Sequence, residues 1–188
     1  MRSVLITGVQ GVGKSTIGRL AANTLGIQTW DYADLMLRVA NDLRDKDEIG
    51  DLPWEKRCQI YAQVDGLLVE YFAPGDGRSE CILLENHLSI LDGHGIRTFS
   101  HDAIPQYNPV ALVIVEAGPQ EIIERRRTDT HRRRNLGTVE EITEQQTINQ
   151  REASVISQRF SLPIAQIQNT NADLTGTKLA AWIAQILS

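Results

Sequence analysis

An eight-residue pattern near the start of the chain restricts its fold more than any other feature. Residues 8–15 read G-V-Q-G-V-G-K-S and fit the pattern G-x-x-x-x-G-K-[ST]. An apolar, β-branched run at residues 4–7 precedes it, and Lys14–Leu25 has the apolar spacing of a helix. A glycine-rich turn in this context directs backbone N–H groups and the positive end of the helix toward one anion. The pattern therefore predicts a triphosphate-binding loop of the Walker A type.

This loop and a nearby strand signal assign candidate roles to individual side chains. Lys14 can place its charge near the β and γ phosphates of ATP, and the Ser15 hydroxyl can bind Mg²⁺. Glu85 ends an apolar strand, where ligands of parallel sheets bind, and is the candidate carboxylate for that ion. A merely solvated carboxylate is the alternative for Glu85. We expect ATP and Mg²⁺ as cofactors. The residues expected to bind ATP are Gly8, Gly11, Val12, Gly13, Lys14, Ser15 and Thr16.

Strand and helix signals alternate along the rest of the chain. Continuous apolar runs at Cys81–Glu85 and at residues 110–116 predict central strands that are covered on both faces. Alternation of such strands with helices predicts a layered α/β fold. Residues 45–53 read as a charged turn, and the loop at residues 86–108 lacks periodicity, so we expect it to be functional or disordered. Helices are predicted at residues 32–44, 54–72, 119–127, 139–158 and 174–187, and a last strand at residues 163–168.

Length, charge and cysteine content limit the class of protein. The 188 residues leave no room for two full cores, so we expect a single domain over residues 1–188. A formal net charge of -5 argues against broad electrostatic binding to nucleic acid or to an acidic membrane surface. Two cysteines do not suggest a disulfide framework, and no apolar stretch is long enough to span a bilayer. We expect a cytoplasmic protein with small-molecule nucleotide partners, no nucleic acid and no membrane. The oligomeric state stays open.

Positive charge concentrates in one short segment. Six of the 19 basic residues lie between positions 125 and 134, and such a run either faces water or meets a polyanion. A small kinase must neutralise the transferring phosphoryl group and exclude water, and arginines on a closing segment do both. We therefore predict a phosphotransferase with a lid at about residues 125–138. Within it, residues 125–127 are expected to face water. No N-K-x-D segment is present, which argues against a GTPase.

In these motifs the chain resembles the archaeal-type adenylate kinases. The opening loop matches theirs closely, and residues 31–36 (D-Y-A-D-L-M) resemble their second strand and the helix after it. Residues 85–87 (E-N-H) stand where they have D-T-H, and residues 129–135 (D-T-H-R-R-R-N) resemble their lid pattern D-x-x-R-x-R-D. The resemblance implies a three-layer P-loop NTPase fold with a five-stranded parallel sheet and helices on both faces. It also implies Mg²⁺-dependent phosphoryl transfer from ATP to AMP, giving two ADP, and an acceptor-binding region at about residues 31–73.

The same resemblance implies functional residues, and its departures put the acceptor in question. Arg132 and Arg134 match the lid arginines and are candidate catalytic residues with Lys14, while Arg151 lies one place from an arginine that follows the family's lid. Gly50 stands where the family has an arginine, and the proline-rich stretch after D-T-H is absent. We expect a changed acceptor pocket. Arg38 and Arg44 are candidates to replace the lost arginine. The residues expected at the acceptor are Asp34, Arg38 and His87.

Three functions therefore remain open. The first is a kinase for AMP or a related nucleoside monophosphate. The second is a P-loop kinase for another small phosphoryl acceptor, favoured by the altered loop at residues 86–108. The third is a nucleotide-binding regulatory or assembly factor that transfers phosphate slowly.

Overall fold

Five parallel strands form the central sheet of the protein. The computed structural model describes residues 1–72, 81–92 and 95–188. Within the sheet the strands lie in the order β2-β3-β1-β6-β7, and every neighbouring pair is parallel. The predicted α/β fold with a five-stranded parallel sheet is confirmed. Its strands are β1 (Arg2–Thr7), β2 (Gln28–Asp31), β3 (Cys81–Glu85), β6 (Pro109–Glu116) and β7 (Ile164–Gln168).

Helices cover both faces of this sheet because its inner strands are apolar on both faces. In β1, Leu5 belongs to one buried cluster, while Val4 and Ile6 belong to the other. The first cluster includes side chains of α2, α4 and α6, and the second includes side chains of α1, α5 and α7. The helices are α1 (Lys14–Leu25), α2 (Tyr32–Val39), α3 (Lys46–Asp51), α4 (Trp54–Phe72), α5 (Pro119–Thr128), α6 (Val139–Phe160) and α7 (Ala172–Leu187).

Two predicted irregular segments contain regular structure. The expected turn at residues 45–53 contains α3, whose N-cap Asp45 accepts hydrogen bonds from the backbone N–H groups of Asp47 and Glu48. The expected loop at residues 86–108 contains two antiparallel strands, β4 (Ser89–Asp92) and β5 (Gly95–Thr98), and a 3-10 helix at Ile104–Tyr107. Four-residue strands give too few alternations to stand out in a sequence. Where the structure describes them, both segments therefore contain regular secondary structure.

The hairpin of β4 and β5 is attached to α6. The buried Gln145 side chain donates to the carbonyl of Ser89 at 3.2 Å, and His101 lies 3.2 Å from Glu152. These contacts attach the hairpin and the residues that follow it to α6. In the ranges that the structure covers, none of the helices combines the length and the apolar character needed to cross a membrane.

Candidate active site

The phosphate-binding loop, residues 8–15, connects β1 to α1. Gly13 caps α1 with φ +96°, a value that side-chain-bearing residues rarely adopt, and a Cβ there would clash with the amide of Asn169. A Cβ on Gly11 would lie 2.9 Å from Cγ of Arg126. The glycines are therefore required by positive φ and by the close approach of two distant segments.

Lys14 is held inside this loop. Its side chain is 7% exposed, and Nζ donates to the carbonyl oxygens of Gly8 at 2.9 Å and Val9 at 3.3 Å. Burial lowers the pKa of Lys14 to about 8, although the carboxylates of Glu85 and Asp31 oppose that shift. The lysine therefore lies beside the loop carbonyls with a charge that an incoming phosphate can stabilise.

His87 lies in contact with both the loop and Lys14. Its Nδ1 is 2.9 Å from the carbonyl oxygen of Gly8 and 3.4 Å from Nζ of Lys14. Because a carbonyl only accepts, this contact selects the neutral tautomer with hydrogen on Nδ1. Burial, followed by the charge of Lys14, lowers the pKa of His87 to about 3. His87 therefore stays uncharged at the wall of the nucleotide cavity.

Ser15 and Glu85 form an oxygen pair beside the loop. The Ser15 hydroxyl donates to Oε2 of Glu85 at 2.6 Å, and Glu85 is 5% exposed at the end of β3. Burial raises the pKa of its carboxyl group. A hydroxyl and one carboxylate suit Mg²⁺, which takes few protein ligands and completes its shell with phosphate and water. Among the described residues no group of three or more His, Cys, Asp or Glu side chains could hold a metal.

The lid arginines contact carboxylates around the cavity. Nε of Arg132 lies 2.9 Å from Asp47 on α3, and the backbone N–H of Arg133 donates to the same carboxylate at 2.7 Å. Nε of Arg134 lies 2.6 Å from Asp129 at the end of α5. The backbone N–H of Arg133, followed by Arg132, lowers the pKa of Asp47. The lid therefore contacts the acceptor region through an ion pair and a hydrogen bond to Asp47.

The expectation that residues 125–127 all face water is wrong for two of them. Arg126 is 4% exposed and donates to the carbonyls of Gln10, Asn135 and Leu136 at 2.9–3.0 Å. Arg125 donates to Val12 at 2.8 Å and to Asn169 at 2.8 Å. Successive helix positions point about 100° apart, so three adjacent arginines cannot share one environment.

A periodic signal for this burial was present in the sequence. Ile122 is fully buried, and positions three and four residues later lie on its face of the helix. Arg125 and Arg126 occupy those positions, whereas Arg127 pairs with Glu124 and is exposed. Two arginines that were predicted to face water therefore donate hydrogen bonds to the phosphate-binding loop.

One cavity of about 780 Å³ contains the loop, the lid arginines and part of the acceptor region. Its wall includes Lys14, Glu85 and His87, together with Arg132, Arg133 and Arg134. The acceptor region and the hairpin of β4 and β5 supply the opposite wall. That wall includes Asp31, Met36, Lys46, Asp47, Gly50, Arg57, Tyr61, Ile90, Asp92 and Phe99.

The predicted acceptor residues of α2 do not reach this cavity. Arg38 is exposed and is not part of the cavity wall, because Leu35 and Met36 occupy the inner face of α2. Arg44 lies between α2 and α3 and is also exposed and outside the wall. This placement gives no support to an acceptor role for Arg38. Asp34 lies outside the wall as well, but it pairs with Lys46 at 2.8 Å. Arg151 is exposed on α6 beside Glu152, also outside the cavity.

Two cations on the acceptor side were missed. Lys46 lies 2.5 Å from Asp31 and lines the cavity. Arg57 lies on the buried stripe of α4 that contains Ile60 and Val64, and a charged residue within an apolar stripe is the signal that could have identified it. Both residues lie within residues 31–73, the acceptor region that the resemblance to the archaeal-type adenylate kinases implies.

Comparisons with known proteins show the family of the chain. A family model described as an AAA domain matches residues 7–143. The chain is 33% identical over 172 residues to the adenylate kinase of Pyrococcus abyssi, covering 88% of this chain and 85% of that protein. It is 33% identical over 161 residues to the adenylate kinase of Thermoplasma acidophilum, covering 84% of this chain and 83% of that protein. Among solved structures, shikimate kinase from Bacteroides thetaiotaomicron has a TM-score of 0.65 at 12% identity, covering 97% of this chain and 98% of that one, which shows a shared fold.

The matches to adenylate kinases extend over most of the chain and confirm the resemblance seen in its motifs. The chain belongs to the adenylate kinase family of P-loop nucleoside monophosphate kinases and is a phosphotransferase.

Proposed function

We propose that this protein transfers the γ-phosphoryl group of ATP to AMP, giving two ADP, with Mg²⁺ as cofactor. The observation that carries the proposal is the shared cavity, whose wall contains the loop lysine, the Ser15–Glu85 pair, the lid arginines and the acceptor region. Phosphoryl transfer needs positioning and charge neutralisation more than covalent chemistry from the protein. A cavity with these groups on opposite walls supplies both.

The donor half binds ATP through the loop. The backbone N–H groups of residues 8–16 and the start of α1 would surround its phosphates, and Lys14 would exchange the Gly8 carbonyl for a phosphate oxygen. Ser15 and Glu85 would hold Mg²⁺, which neutralises phosphate charge when bound. Neutral His87 lies against Lys14 at the boundary between the two halves, and we propose that it borders the acceptor.

The lid closes the site and stabilises the transition state. Arg132 and Arg134 line the cavity and would exchange Asp47 and Asp129 for oxygens of the transferring phosphoryl group. On the acceptor side, Asp34 acts by holding Lys46 at the cavity wall. We propose one kinase domain over residues 1–188, with the acceptor region and lid as its moving parts. Both cysteines that the structure describes are free, and we propose that the protein works in the cytoplasm.

A panel of acceptors tests this proposal. ATP and Mg²⁺ are incubated with AMP, dAMP, CMP, UMP or GMP, and the products are separated by anion-exchange chromatography. AMP should give ADP, and Lys14→Ala should abolish transfer. Arg132→Ala and Arg134→Ala should lower kcat by about 10³-fold while changing the Kd for ATP much less. Tight ATP binding without a phosphorylated product from any acceptor would overturn the proposal and favour a binding factor.

A further inference from the structure

A group of charged and aromatic side chains lies at the cavity wall that α4 and the hairpin of β4 and β5 supply. Arg57 is 6% exposed and lines the cavity, and its Nη2 donates to Oδ2 of Asp92 at 3.0 Å. Nε of Arg97 donates to the same oxygen at 3.1 Å. Two guanidinium groups therefore converge on one carboxylate oxygen of a residue that lines the cavity.

Arg57 has hydrogen-bonding capacity that the protein leaves unused. Its Nε has no hydrogen-bond partner among the residues that the structure describes. The guanidinium carbon lies 5.2 Å from the centroid of the Trp54 ring, which, together with Asp92, fixes the side chain. Buried N–H groups are nearly always paired in proteins. Arg57 therefore keeps donor capacity at the cavity wall that an acceptor atom of a bound molecule can use.

The surrounding wall suits a flat aromatic ring. Tyr61 and Phe99 both line the cavity, with ring centroids 5.1 Å apart and planes 86° apart. Ile90 and Met36 add apolar surface. A free phosphate would gain little from these walls, whereas a nucleobase can stack on them and present its polar edge to Arg57. The chemistry therefore fits the base of the acceptor.

We propose that Arg57 determines base specificity and that the protein also phosphorylates 6-oxopurine monophosphates such as GMP and IMP. O6 and N7 of a 6-oxopurine are adjacent acceptors, and they match the paired donors of a guanidinium group. Adenine offers N7 beside an amino donor, so only one of its two edge atoms can accept from Arg57. A glutamine side chain instead matches N6 and N7 of adenine. This inference rests on the proposed kinase function and specifies its acceptor.

Steady-state kinetics with GMP, IMP and AMP test the inference. The native protein should phosphorylate GMP and IMP. In Arg57→Gln the ratio of kcat/KM for GMP over AMP should fall by about tenfold or more, mainly through KM for the monophosphate. Arg97→Gln is the matched control, because Arg97 binds the same Asp92 oxygen but is not part of the cavity wall. That control should leave the ratio nearly unchanged.

The outcomes separate the inference from the function on which it rests. No turnover of GMP and IMP by a native protein that phosphorylates AMP would overturn the inference, as would an unchanged ratio in folded Arg57→Gln. No turnover of any monophosphate would instead contradict the proposed function. If Arg57→Gln does not fold, Arg57→Lys gives the answer, since it keeps the charge next to Asp92 but loses the paired donors. The same fall in the GMP-to-AMP ratio is expected there.

Discussion

Lys14 shows how a single side chain can be prepared for its ligand by burial. It is almost fully enclosed, it contacts two carbonyls of the phosphate-binding loop, and its pKa is lowered to about 8. A lysine in this state has lost most of its hydration before the nucleotide arrives. Phosphate oxygens then provide the counter-charge that the carbonyl dipoles only partly supply.

The lowered pKa of Lys14 predicts proton uptake when ATP binds at alkaline pH. Above pH 8 most free molecules carry neutral Lys14, whereas the bound triphosphate favours the charged form, so binding must take up a proton. The affinity for ATP should therefore fall by about fivefold between pH 8 and pH 9. Isothermal titration calorimetry at pH 9, in two buffers of different ionisation enthalpy, measures the uptake. Lys14→Met should take up no proton, and equal uptake by both proteins would contradict the assignment.

At the scale of elements, α5 connects the phosphate-binding loop to the lid. Arg126 lies in the last turn of α5 and binds Gln10 in the loop and two carbonyls at residues 135–136 in the lid. Burial, followed by the charge of Arg134, lowers its pKa to about 10, so it remains charged at neutral pH. The carbonyl partners replace the water that this guanidinium has lost.

Arg126→Gln should destabilise the protein and weaken ATP binding together. The shorter amide cannot reach all three carbonyls, and unpaired buried groups cost on the order of 1–3 kcal/mol each. We expect the free energy of unfolding to fall by about 2–4 kcal/mol in urea titrations. Arg127→Gln, one residue further along the same helix but exposed, should change neither property measurably. Equal effects of the two substitutions would show that Arg126 does not stabilise the contact between the phosphate-binding loop and the lid.

The elements also show what the sequence could and could not predict. The phosphate-binding loop, α1, α4 and the inner strands β3 and β6 were predictable because a local motif or a long apolar pattern specifies each. Helix α3 and the hairpin of β4 and β5 were missed because segments of four to six residues are too short to show a clear hydrophobic period. Arg125 and Arg126 were misassigned because composition alone suggests a solvated run, while their burial depends on the position of Ile122. The inward position of Arg57 likewise depends on how α4 packs.

On the scale of the whole molecule, the lid and the acceptor region are held together by ion pairs over the cavity. Arg132 binds Asp47, and Arg133 binds both Asp47 and Asp51 on α3. These two carboxylates flank Gly50, where an added Cβ would meet nothing within 4 Å. Arg132 and Arg133 of the lid therefore supply positive charge beside these two carboxylates of α3.

Trypsin cleavage after the lid arginines should report the strength of these contacts. Asp47→Asn combined with Asp51→Asn should accelerate cleavage between residues 132 and 135 by about two- to tenfold, because partly exposed ion pairs contribute little individually. Raising the ionic strength should accelerate cleavage of the native protein in the same direction. Glu124→Gln is the control, since its pair with Arg127 lies within α5. Cleavage of the native and doubly substituted proteins at equal rates would contradict a closed lid in the free protein.

The carbonyl oxygen of Val12 accepts hydrogen bonds from Arg125 and from the side chain of Asn169, each at 2.8 Å. Those partners follow it by 113 and 157 residues in the chain. When the phosphate-binding loop has just been synthesised, the two side chains that donate to Val12 are therefore still missing. The second of them, Asn169, becomes available only after it has left the ribosome. The earliest functional signature in the sequence is among the last to be completed during translation.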